Sequence, residues 1–154
     1  MCLSKLFKKE TKWWQLVLAA VLYTVIAEIW HTIGAFVGMS YYEDPNYFSV
    51  WSKIMMPVAG PPPAEFYFYS WLFGLIGALL FVLVYEILKS GMPGDKPWRK
   101  GITYGFLVFL VGTIPGYLAM VLLINLPCGL IYYWAVESLL VLLTGGAVVG
   151  KLVR

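Results

Sequence analysis

The sequence predicts an all-α polytopic membrane protein, a single domain over residues 1–154 built as a four-transmembrane-helix bundle with an amphipathic outer interfacial helix. Three observations predict this. Apolar residues gather in four long blocks, 13–39, 66–88, 102–124 and 128–150, each long enough to cross a hydrocarbon core that takes about 20 helical residues. Only 12% of residues are charged, against 61% hydrophobic and 18% aromatic, where a soluble domain is roughly one-quarter charged. The blocks do not alternate polar with apolar, so they do not read as the strands of a membrane barrel.

The charges are sorted by position. Lys5, Lys8, Lys9 and Lys12 precede the first block, Lys89, Lys96, Arg99 and Lys100 lie between the second and third, and Lys151 and Arg154 follow the fourth. The remaining connections hold one basic residue, Lys53, beside Glu43, Asp44 and Glu65. The positive-inside rule therefore places both termini and the 89–101 loop in the cytoplasm, which requires an even number of spans and fits a cytoplasmic (inner) membrane. It also accounts for the basic residues without nucleic acid. Cys2 and Cys128 fall on opposite sides and form no disulfide framework or metal-type spacing. The first block is too long for the apolar region of a secretory signal and reads as a retained span.

Taken in order, residues 1–12 form a basic lead-in suited to an anionic leaflet, and Trp13 and Trp14 mark the first interface. In the first span, Ala20, Thr24, Ala27, Glu28, His31, Gly34, Ala35 and Gly38 share one side at 3.6-residue spacing, a small-residue face suited to close helix approach. Asp44-Pro45 reads as an N-cap and first-turn proline, and the periodicity up to Met56 predicts the interfacial helix over 45–56. The second span opens on the aromatic cluster Phe66–Trp71 and carries a small-residue seam at Ser70, Gly74, Gly77 and Ala78. Glu86 and Lys89 at its inner end read as a solvated pair, and residues 91–98 as a loop dense with breakers. The third span carries packing glycines at Gly105, Gly112 and Gly116, with a kink expected at Pro115. A short turn at 125–127 makes the third and fourth spans a hairpin. Residues 32–39 and 113–120 resemble each other position by position, as a parallel two-plus-two duplication would.

Ionisable residues inside a bilayer are functional-site candidates. Counted from the outer ends of the predicted spans at 1.5 Å per residue, Glu28 and Thr113 lie about 16 Å deep, Glu137 about 14 Å and His31 about 12 Å. The sequence thus predicts a polar membrane site of Glu28, His31 and Glu137, with Thr113 and Thr24 as hydroxyl partners. Two carboxylates and an imidazole can share protons or hold a cation, since each offsets the cost of burying the others. The same residues can also be structural: Glu28 and His31 can satisfy each other along one helix face, and Glu137 can bond Tyr104 or Tyr117.

Glu-x-x-His occurs once, where a carboxylate-bridged di-iron bundle needs it twice with two further glutamates, so a metal would be a single ion on Glu28, His31 and Glu137. One histidine on a small-residue face also meets the requirement for an axial haem or chlorophyll ligand. No cofactor is required by the sequence, and neither a nucleophile with a guaranteed histidine nor a nucleotide-binding glycine loop is present. The expected function is a small proton- or cation-handling transporter or channel-like protein rather than an enzyme. The alternative is an accessory subunit of a larger membrane complex. Its expected partners are the lipid bilayer and either further copies of itself or that complex.

Overall fold

The computed structural model describes residues 11–153. Most of the basic lead-in, Cys2 and Arg154 fall outside them. The chain folds as α1 (Trp13–Val37), a single-turn α2 (Met39–Tyr42), α3 (Ala64–Leu88), α4 (Pro97–Val108), α5 (Ile114–Leu123) and α6 (Cys128–Leu152). A π-helical turn, Phe109–Thr113, joins α4 to α5 into one continuous span. Four helices are therefore long and apolar enough to cross a membrane. Residues 38–63 and 124–127 lie at one end of the bundle, the connection face. Residues 11–12, 89–96 and 153 lie at the other, the basic face.

α1 packs on both α3 and α6, and α6 packs most extensively on α4, while α3 and α6 scarcely meet. The spans therefore follow the order α3–α1–α6–α4. Without a hydrophobic driving force between helices in lipid, close backbone approach decides which pairs hold. Gly101 and Gly105 lie against Gly146, Gly150 and the Leu142 carbonyl, where a side chain on any of these glycines would collide with the opposing backbone. The buried core belongs to this basic-face half: Leu16, Ala19, Ala20, Phe81, Val82, Tyr85, Tyr104, Leu142 and Val149 form one cluster.

The connection-face half is looser. α5 packs chiefly on α6 and has no buried residue, with Leu122 84% exposed toward what would be lipid. Gly112 and Gly116, expected to pack against a neighbour, have open space where a Cβ would stand. The expected kink at Pro115 is taken up just before it. Proline lacks an N–H and crowds the carbonyl four residues back, and the wider π turn over Phe109–Thr113 accommodates both faults.

Three further expectations are corrected. The interfacial helix over 45–56 is instead a short 3₁₀ helix, Pro45–Val50. Asp44 caps it as expected, accepting from the Asn46 N–H at 2.9 Å. The helix then stops because Trp51 turns extended and places its ring against Tyr42 and Trp134, 5.2 and 6.2 Å between centroids. Tertiary aromatic packing outweighs propagation of the helix. The third span begins at Pro97, not 102, with proline in the first turn, where its missing N–H costs nothing.

Glu86 and Lys89 are not solvated. The Glu86 side chain is 1% exposed, paired with Lys89 Nζ at 2.9 Å. Thr11 Oγ1 donates to both Glu86 oxygens at 3.0 Å and accepts from Lys89 Nζ at 2.7 Å. Thr11 thus clips the start of α1 to the end of α3.

Candidate functional site

Glu28, His31 and Glu137 are each held by a specific contact between helices. In α1 and at its C-cap, Gly34 and Gly38 turn toward α6, while Thr24 and Glu28 turn toward α3. His31 lies between these directions at 100° per residue. Its Nδ1 meets Glu137 Oε1 of α6, and this contact bridges the two helices about 9 Å below the end of α1, six residues at 1.5 Å each. Glycine at position 34 makes the contact possible, because any Cβ there would collide with the Glu137 carboxylate. Gly34 and Gly38, both expected to pack, do so: Gly34 on Glu137, and Gly38 against Tyr42 with Tyr133 close by.

The pair is unequal. The Glu137 side chain is 10% exposed and that of His31 is 53% exposed. An isolated carboxylate near a span centre costs about 3 kcal/mol, so Glu137 needs a partner in lipid, and among the described residues the imidazole is the one in hydrogen-bond contact with it. Tyr42, Tyr117 and Tyr133 lie within electrostatic reach of Glu137. Just above, Trp134 Nε1 donates to the Tyr42 hydroxyl at 2.8 Å, and Trp51 completes an aromatic cap. Burial raises the Tyr42 phenol above its ordinary value, although the hydrogen bond from Trp134 works the other way, and the Glu137 charge adds to the rise.

Glu28 takes a different partner. Ser70 of α3 donates to Glu28 Oε1 at 3.2 Å, and Gly74 leaves room beside that same oxygen. Glu28 and His31 therefore divide between α3 and α6 instead of satisfying each other. Among the described residues, no three His, Cys, Asp or Glu side chains converge in a group that could hold a metal ion, the predicted trio included.

The expected hydroxyl partners are engaged elsewhere. Thr24 is buried against α3 and donates to the Ala20 carbonyl at 2.9 Å. Thr113 sits in the π turn and makes no hydrogen bond to Glu28, His31 or Glu137. Nor do the tyrosines considered for Glu137 bond it: Tyr104 donates to the Phe81 carbonyl at 3.1 Å, and Tyr117 exchanges a hydrogen bond with Ser138 at 2.8 Å.

Ser70 and Ser138, the latter bonded to Tyr117, are the polar neighbours that sequence reasoning did not assign to the site. Ser70 had a legible signal, since it lies about 9 Å below the start of α3 by helical rise, near the level of His31. The arrangement provides a carboxylate and an imidazole in contact, a second carboxylate on the same helix, and an accessible edge at His31. Compared with known protein families, with curated proteins and with solved structures, the chain matches none.

Proposed function

We propose that the protein handles protons at the His31–Glu137 pair, as a small transporter or channel-like protein of the cytoplasmic membrane with both termini in the cytoplasm. The observation that carries the reading is the inequality of the pair: a nearly buried carboxylate in contact with a half-exposed imidazole. A structural bridge would gain from burying both partners. An imidazole left accessible can instead take a proton from water and pass it to the carboxylate it touches. Protons are favoured over metal cations because Glu28 is committed to Ser70 and does not join the other two groups.

Purified protein in liposomes loaded with a pH-sensitive dye tests this. Wild-type vesicles are expected to equilibrate an imposed pH gradient faster than protein-free ones, and Glu137→Gln or His31→Ala to slow this at least about tenfold, the low end of what one acid–base group contributes. Equal rates in wild-type, variant and empty vesicles would overturn the reading.

The alternative, an accessory subunit of a larger membrane complex, is favoured by one observation, the lack of any buried residue in α5. Its mark would be stoichiometric co-purification with that complex, lost on substitution of the α5 surface.

A further inference from the structure

We propose that the Glu28–His31–Glu137 level is open to water from the connection face only, and that Tyr23, Phe81 and Tyr104 form the seal that closes it from the basic face. These three rings come from three spans and lie against one another. Tyr23 of α1 and Phe81 of α3 are 4.7 Å apart between centroids, and Phe81 and Tyr104 of α4 are 4.6 Å apart. The fourth span completes the layer, because Gly145 of α6 receives the Tyr23 ring where any side chain would collide with it. Tyr104 is 4% exposed, and its hydroxyl is fixed on the Phe81 carbonyl.

The layer lies about 12 Å below His31, eight residues along α1 at 1.5 Å each. Beneath it, Leu16, Ala19, Ala20, Val82 and Val149 are buried, so the seal is backed by dry packing toward the basic face. The Thr24 hydroxyl, one turn below Glu28, is committed to its own helix. No hydroxyl relay from the site toward Glu86 is offered by Thr24 or Tyr104.

Above the layer the packing changes. His31 keeps half its side chain exposed, and α1 is exposed at 31–33 and 35–37. Water reaches the pair at the exposed His31 edge, about 9 Å below the end of α1, rather than through the Tyr42–Trp51–Trp134 cap over Glu137, and passage through the bundle requires the aromatic layer to part.

Thiol labelling tests this without relying on proton handling. In a cysteine-free background (Cys2→Ser, Cys128→Ser), His31→Cys and Ser70→Cys are each exposed in sealed, oriented vesicles to a charged, membrane-impermeant methanethiosulfonate. Labelling is expected from the connection face and at least about tenfold more slowly from the basic face, a barrier difference of about 1.4 kcal/mol. Comparable labelling from both faces, or from neither, would overturn the one-sided access.

Adding Tyr104→Ala or, if that protein does not elute as a folded species, Tyr23→Ala, is expected to open labelling from the basic face, whereas Tyr104→Phe keeps it closed. Unchanged labelling in the folded alanine variant would remove the seal. One-sided labelling with no proton flux would overturn the proposed function while leaving the access intact, and flux with two-sided labelling would do the reverse.

Discussion

The two halves of the bundle are made from similar residues and packed in opposite ways. In the basic-face half, glycines on α4 and α6 bring backbones together, aromatic rings from three spans interlock, and a carboxylate is buried with a lysine. In the connection-face half, glycines on the third span face open space, α5 buries nothing, and a histidine inside a span remains half exposed. The difference teaches that stability and candidate chemistry are separated along the membrane normal. One half holds the helices in register, and the other leaves ionisable groups room to change partners.

The largest expected effect comes from attacking the dense half. Gly105→Leu places a side chain against the Leu142 carbonyl, where backbone on both sides prevents a cheap adjustment. A loss of about 3 kcal/mol is expected, at the upper end for overpacking, read by SDS titration followed by circular dichroism. A variant as stable as wild type would show that the α4–α6 contact does not hold the bundle.

Glu86→Gln should follow. It leaves Lys89 with Thr11 but without the buried carboxylate, and breaking a fully buried pair costs about 3–5 kcal/mol. Lys89 sits at a helix end and its side chain is 11% exposed, so it can extend toward water, which lowers the expectation to about 2 kcal/mol. The same titration measures it. A negligible loss would mean that the Thr11 clip contributes nothing beyond its geometry.

How much of this was legible follows the same division. The four spans were legible because bilayer thickness sets a length that hydropathy reports directly. Depth was legible too, since helical rise converts residue number into position, and it brought His31 and Glu137 to one level. Rotation about the helix axis was not. Lipid and protein interior are equally apolar, so hydropathy cannot tell a face that meets a neighbour from one that meets lipid. Gly101 and Gly105 therefore look like Gly112 and Gly116 in the sequence, although the first two touch backbone and the last two touch nothing.

The same blindness hid Glu86, whose partner Thr11 is 75 residues away, and sent Glu28 to His31 when Ser70 was available. The start of the third span was missed for a local reason. Pro97 carries the same first-turn signal as Pro45, but the neighbouring Gly91, Pro93 and Gly94 made the segment read as loop.

The smallest expected effect is the most informative about partners. Gly112→Leu introduces a side chain into open space on the third span, so within a single copy of the chain it should change stability by no more than about 0.5 kcal/mol. Set beside Gly105→Leu, the same substitution seven residues earlier, it isolates contact from composition. The two glycines share a helix and a chemical identity and differ in what faces them. A loss at Gly112 as large as that at Gly105 would mean another helix lies against α5 in the membrane, from a second copy or from another protein. Gly116→Leu should then behave likewise, because the two positions are one turn apart and would share that contact. Stability unchanged at both positions would leave lipid as the neighbour of α5, and the looseness of the connection-face half would belong to the single chain.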